Sequence, residues 1–376
     1  MMKVNQAYQV SPIYVFFLIH SAQFGAGVLG FSRIAAEKAG YDAWISVLLA
    51  GIVLHILMWM MYRMLSWING SILKLQTYMF GKLLGTGLNI LFLLYFFIVS
   101  ASILRTYIEI VQVWMFPTAS TFILATVMCV LVYYIVSSGF RVMTAICVLS
   151  IFMSILYIFL CIYCMRNYGE MNNFLPVWNH SIQDIGDAMK KSIYTMAGSE
   201  IILMIYPFIH HPKESHKFAQ YGLLFSNSLY LLTIVSALAC FNENMLAHRI
   251  WSQLSLSQLI TLPFIQRFEN IMVSGYAWGM ITSMILPIWA CTRGIREIFP
   301  IRQRYTLLAL LGMLIVIACQ LQDRHTINAF ITQTSRFTFY LIYIYMPILF
   351  LLFCLKVQYQ KKKNTLCNIG SDAKNK

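Results

Sequence analysis

The sequence predicts an all-α polytopic membrane protein of about ten transmembrane helices, arranged as a five-plus-five inverted repeat in which helices one and six are broken. Three observations carry this. Hydrophobic residues make up 60% of the 376-residue chain and charged residues 11%, a composition far from that of soluble globular domains. Apolar stretches recur at the length that helices need to cross a hydrocarbon core of roughly 30 Å. Two of these stretches are interrupted by small residues near their centres, at Gly25-Ala26-Gly27-Val28-Leu29-Gly30 and Ala197-Gly198-Ser199-Glu200. Alternating ten-residue strand patterns are absent, which disfavours a β-barrel.

The spans fall near residues 12 to 34, 43 to 65, 83 to 107, 119 to 138, 142 to 165, 185 to 209, 218 to 241, 269 to 291, 305 to 321 and 336 to 357. The first is too long for a signal-peptide core and has no small-residue cleavage site before a polar chain, so it is expected to be retained. It carries His20 and the second carries His55; each suits a hydrogen bond across helices or a proton relay. The third holds Tyr95 and Ser100, polar groups that face the site or simply pack. The fifth ends in Cys161-Ile162-Tyr163-Cys164, which has redox spacing but lies in a continuous apolar helix without the βαβ context that gives the motif meaning. Most of the nine cysteines sit inside spans, at Cys129, Cys147, Cys240, Cys291, Cys319 and Cys354, where they read as small packing residues. In the eighth span Pro287 removes the hydrogen bond to the Ser283 carbonyl, freeing an acceptor beside Thr282. The longest polar stretch, from about 242 to 268, is too short for a second domain. Residues 1–357 therefore read as one integral membrane domain, and the Lys- and Asn-rich residues 358–376 as a flexible basic tail.

Orientation follows from the basic residues. Ten helices put both termini on one side, with Lys3; Arg63, Lys74 and Lys82; Arg141; Lys213 and Lys217; Arg293, Arg296, Arg302 and Arg304; and Lys356, Lys361, Lys362, Lys363, Lys374 and Lys376. That side is expected to be cytoplasmic. The net charge of +14 is explained by these loops and by the Lys361-Lys362-Lys363 run, which favour anionic membrane lipids rather than nucleic acid.

Glycine is costly inside a helix, and an ionisable residue within a span marks a functional site. Span one leaves the cytoplasm and span six returns to it, so the two breaks lie at similar depth in oppositely directed helices, as an inverted repeat requires. Half-helix ends expose N–H groups that suit a carboxylate; Val28, Leu29 and Gly30 would supply them after the Gly25 to Gly27 turn. Ser199 and Glu200 would add a hydroxyl and a carboxylate from span six, the carboxylate binding an ammonium or carrying a proton, or else pairing with a buried Tyr or Arg. With Thr282 and Ser283 on span eight, these residues form the candidate ligand site. His210, His211, Glu214 and His216 resemble a metal cluster, but adjacent histidines followed by proline suit a solvated turn better. No metal and no cofactor is expected. An acyltransferase using His20 or His55 lacks a recognisable catalytic set, so the chain does not read as an enzyme.

The run His20-Ser21-Ala22-Gln23-Phe24-Gly25-Ala26-Gly27-Val28-Leu29-Gly30-Phe31 resembles the first helix of the spore germination permease family, the B subunits of germinant receptors in endospore-forming bacteria. The length, the ten spans and Phe264-Ile265-Gln266-Arg267-Phe268-Glu269 before span eight are similar to that family as well. The resemblance covers nearly the whole chain. It implies a LeuT-like fold of the amino acid, polyamine and organocation transporter superfamily, in the spore inner membrane. It also implies a large A subunit and a lipoprotein C subunit as partners, and a nutrient such as an amino acid bound between the first-helix turn and Thr195 to Glu200. Two functions stand: a receptor subunit whose broken helices bind the nutrient and shift a helix equilibrium, and a secondary amino-acid transporter using the same site.

Overall fold

A computed structural model describes residues 5–25, 27–261 and 266–372. Sixteen α-helices appear among them: α1 Tyr14–Gln23, α2 Gly27–Ala39, α3 Ala43–Ile68, α4 Ile72–Trp114, α5 Thr121–Ser137, α6 Phe140–Leu149, α7 Ile151–Tyr168, α8 Ile182–Thr195, α9 Ile202–Ile205, α10 Ser215–Cys240, α11 Glu243–His248, α12 Ser252–Ser257, α13 Phe268–Ile298, α14 Gln303–Gln320, α15 Arg324–Thr338 and α16 Met346–Asp372. Strand-type pairing among the described residues is limited to a single parallel bridge, Val10 to Ile209. It docks the N-terminal segment beside the end of α9, with Val10 N–H donating to the Phe208 carbonyl at 2.9 Å.

Seven helical stretches among the described residues are long and apolar enough to cross a membrane. The difference from the expected ten lies in the short and interrupted elements. The second half of span one joins α3 through the turn Gly40–Asp42, α5 is a 17-residue helix, and span six is divided into α8, a 3-10 turn at Ser199–Ile201 and the four-residue α9.

Three stretches depart from the sequence reading. Gly81, at φ +79°, turns the chain sharply inside α4. Residues 72–80 thereby become a helical arm folded back on the span, and a Cβ at Gly85 would lie 2.6 Å from the Thr77 Cα. Asn89 secures the corner by donating to the Leu73 carbonyl at 3.2 Å. The polar 242–268 stretch contains α11 and α12; α12 is entirely buried and packs on α2 and α13, so this loop is part of the core. Finally, the last span starts as early as Arg324 and passes through a π-helical segment, Phe339–Tyr345, into α16. The backbone expected as a flexible tail continues that helix to Asp372.

The two broken spans lie at the centre. α1 packs on α10, α13 and the Ser199–Ile201 turn, and α2 packs on α8, α10 and α12. The long pair α4 and α13 walls the other side.

Candidate functional site

Span one breaks where α1 ends. Phe24 closes the last turn by donating to the His20 carbonyl at 2.8 Å and then leaves helical geometry at φ −89°, ψ 71°. Span six breaks at Gly198, whose φ of +129° is a conformation that side-chain-bearing residues rarely adopt. The two breaks touch: a Cβ on Gly198 would sit 2.4 Å from the Ala22 carbonyl oxygen and 2.9 Å from the Gln23 nitrogen. Only glycine permits this backbone-to-backbone approach. Gly27 lies against Thr195 and Gly25 against Ser283 with similar closeness.

Breaking a helix strands carbonyls at the end of the first half, and in a membrane each unpaired group is costly. The chain satisfies them with its own side chains. The Gln23 amide donates to the Met196 carbonyl at 2.7 Å. The Tyr230 hydroxyl of α10 lies 2.8 Å from the Gln23 carbonyl and 2.9 Å from the Thr195 carbonyl. It shares one proton between the two broken helices.

A cavity of about 1180 Å³, its open mouth included, surrounds this junction. Its walls follow helical periodicity: Gly27, Gly30 and Arg33 on α2; Tyr95, Val99, Ser102 and Thr106 on α4; Arg324, Asn328, Ile331 and Thr338 on α15. Tyr95 to Thr106 spans roughly 16 Å at the α-helical rise, so the cavity is a deep vestibule. Glu200 lies at the Tyr95 level and is buried, 3% exposed. One carboxylate oxygen accepts from the Tyr95 hydroxyl and the other from the Gly198 N–H at 2.8 Å. The pairing with a buried tyrosine, one of the two sequence readings of Glu200, is thus the geometry found, and it leaves Glu200 on the cavity wall.

Of the candidate residues, Gly25, Gly27, Gly30, Ala197, Gly198, Glu200 and Ser283 line the cavity. Val28, Leu29, Ser199 and Thr282 are buried outside its lining. Ala26 lies outside the described residues, as do Phe264 and Ile265. One expectation is corrected. Val28 N–H is not a free donor, because it donates to the Gly25 carbonyl at 3.3 Å and closes the turn itself. The Thr282 and Ser283 hydroxyls turn back onto their own helix, donating to Gly279 at 2.9 Å and Met280 at 3.1 Å. Pro287 does reach the cavity wall.

The histidines of spans one and two have structural partners. His20 lies between Ser226, at 2.9 Å, and Ser154, at 2.6 Å, and His55 faces Gln220 at 2.5 Å. Cys161 and Cys164 are free and buried. The His210 and His211 rings meet edge to face, while His216 packs on Tyr62.

Sequence reasoning passed over the charged end of the vestibule. Arg324 pairs with the buried Glu109 and lies over Trp251, 5.7 Å from the ring centre. The buried Arg105 donates to the Leu321 and Gln322 carbonyls. Arg33 Nε and Gln23 Oε1 are buried without hydrogen-bond partners among the described residues. Arg33 and Arg105 fall within predicted spans, where an ionisable residue is itself a signal. Tyr230 and Gln23 gave no signal in sequence, since nothing local distinguishes them.

A family model described as spore germination protein matches residues 9–327. Spore germination protein GerQB of Bacillus cereus is 38% identical over 361 residues, covering 96% of this chain and 100% of that protein. Spore germination protein B2 of Bacillus subtilis (strain 168) is 24% identical over 301 residues, covering 79% and 82%. A substrate-bound, outward-open Na+-coupled sialic acid symporter is similar in structure, with a TM-score of 0.60 across 93% of this chain and 79% of that one at 11% identity. That likeness, with the helices described above, gives a membrane-integral, LeuT-like transporter fold. With the family model matching most of its length, the chain belongs to the spore germination permease family.

Proposed function

We propose that this protein is the nutrient-binding membrane subunit of a germinant receptor, acting with A and C subunits in the spore inner membrane with both termini in the cytoplasm. The observation that carries the proposal is the meeting of both helix breaks around one cavity, with Glu200 on its wall. A small amino acid suits that cavity. Its ammonium group has carboxylate and amide oxygens available at Glu200 and Gln23, and its carboxylate has the cation Arg33, whose Nε lacks a hydrogen-bond partner among the described residues. Binding at the junction of four half-helices favours whichever helix arrangement fits the ligand, and partner subunits sense that shift. Residues 1–357 act as one membrane domain, with 358–376 as its cytoplasmic extension, and no enzymatic step is involved.

The likeness to a Na+-coupled symporter favours a second reading, transport of the same ligand by alternating access. The full-length protein in liposomes is assayed for uptake of candidate amino acids, beside germination of spores carrying Glu200→Gln or Gly27→Leu. The receptor reading expects a reduced nutrient response in both variants and no concentrative uptake by the isolated subunit. Robust coupled uptake without partners selects the transporter, and a normal response from receptors carrying both changes refutes the site.

A further inference from the structure

A second cavity, about 1640 Å³ with its open mouth, lies at the ends of α13 and α5 and the start of α14. Its floor is aromatic: Trp289 meets Phe208 edge to face at a ring-centre distance of 4.8 Å. Its rim carries Arg293, Arg296 and Arg304. Arg293 lies over the Phe208 ring at 5.3 Å and 3.4 Å from Glu297, and Arg304 donates to the Tyr133 hydroxyl at 3.0 Å. Arg296 makes no hydrogen bond or ion pair among the described residues. Three guanidinium groups thus converge on one opening with a single carboxylate beside them.

We propose that this cavity binds the phosphate of an anionic phospholipid headgroup. Guanidinium groups bind phosphate through paired, charge-assisted hydrogen bonds, and basic pockets between membrane helices at the headgroup level suit acidic lipids. The source is lipid rather than free phosphate because exposed apolar side chains, Phe299, Ile301 and Tyr305, flank the arginines in sequence. Acyl chains have apolar surface there, whereas a soluble anion has no use for it. The site is separate from the central vestibule, although α13 contributes Pro287 to one cavity and Trp289 to the other.

The test uses the full-length protein in nanodiscs of phosphatidylcholine with graded phosphatidylglycerol, with retained lipid counted by native mass spectrometry. Phosphatidylglycerol is expected to be retained in preference to phosphatidylcholine, and millimolar inorganic phosphate is expected not to displace it. Arg296→Gln should weaken retention on the order of tenfold, the value of one lost charge-assisted contact; this exposed residue bonds nothing that folding needs. Arg304→Gln should add to the loss, whereas Lys213→Gln, which is not among the lining residues, should leave retention unchanged. Equal retention of the two lipids overturns the proposal, as does wild-type retention in Arg296→Gln. Equal losses at Lys213 and Arg296 assign the effect to a diffuse positive surface, and displacement by phosphate alone assigns the cavity to a soluble anion.

Discussion

Replacing Gly198 by alanine tests the junction of the two helix breaks at one atom. The new Cβ would lie 2.4 Å from the Ala22 oxygen, 2.6 Å from the Ala22 carbonyl carbon and 2.9 Å from the Gln23 nitrogen. All three are backbone atoms of the last turn of α1, so no side chain can rotate aside. The φ of +129° adds strain of about 1–3 kcal/mol, and overpacking a close contact adds about 1–3 kcal/mol. The expected destabilisation is about 2–6 kcal/mol, a large share of a typical folding free energy. Relief requires the breaks to separate, which also pulls the Gln23 and Thr195 carbonyls away from the Tyr230 hydroxyl. Thermal unfolding in nanodiscs, followed by tryptophan fluorescence, should show a midpoint several degrees lower together with lost ligand binding. Gly186→Ala is the control: it lies inside α8, its Cβ meets nothing within 4 Å, and helix propensity favours alanine by roughly 1 kcal/mol. A Gly198→Ala protein that unfolds and binds like the wild type refutes the packed junction.

Two further changes probe neighbouring parts of the fold. Tyr230→Phe removes the proton shared by the Gln23 and Thr195 carbonyls; leaving buried acceptors unpaired costs about 1–3 kcal/mol. Combined with Gly198→Ala it should be less than additive in the same unfolding assay, because both act on one junction. Asp42→Asn loosens the 169–181 loop, since Asp42 accepts N–H groups from Trp178 at 2.8 Å, Asn179 at 2.7 Å and His180 at 3.1 Å and an amide nitrogen cannot accept. Hydrogen exchange should rise at Asn179 and His180 while α10 stays protected.

Some of this architecture could be read from the sequence, for identifiable reasons. Gly25, Gly27, Gly198 and Glu200 announce themselves because glycine and carboxylate are anomalous in an apolar span. The anomaly is local, so no knowledge of neighbours is needed. The partners that complete the junction carry no such mark. Tyr230 is one of 22 tyrosines, and its value lies in meeting residues 207 and 35 positions away. The Glu109–Arg324 pair joins residues 215 apart, so its two charges look like unrelated boundary residues in the sequence. The corner at Gly81 is hidden for a different reason: the glycine lies between the stretches 43–65 and 83–107, where one more glycine carries no distinguishing mark. The burial of α12 leaves no mark in the sequence because serines and glutamine make it look polar, yet in the fold Gln253 donates to Ser32 and to the Thr233 carbonyl.

The hydrogen bonds at the junction bear on how a ligand would act there. Broken helices are usually read as supplying free backbone groups, but here several of those groups are already paired. Val28 donates to Gly25, Gly198 donates to Glu200, and the carbonyls of Gln23, Thr195 and Met196 face Tyr230 or the Gln23 amide. The break is therefore stable without a ligand and does not need one to form. A ligand that bonds these groups must displace an internal partner, and exchanging one hydrogen bond for another contributes little net free energy. Affinity then comes from buried apolar surface and from groups with unspent capacity, namely Gln23 Oε1, Arg33 Nε and the remaining acceptor positions of the Glu200 carboxylate, each oxygen of which accepts a single hydrogen bond. Discrimination between nutrients is accordingly expected to follow changes at Gln23 and Arg33, and changes at the paired groups should alter how firmly the two breaks hold together.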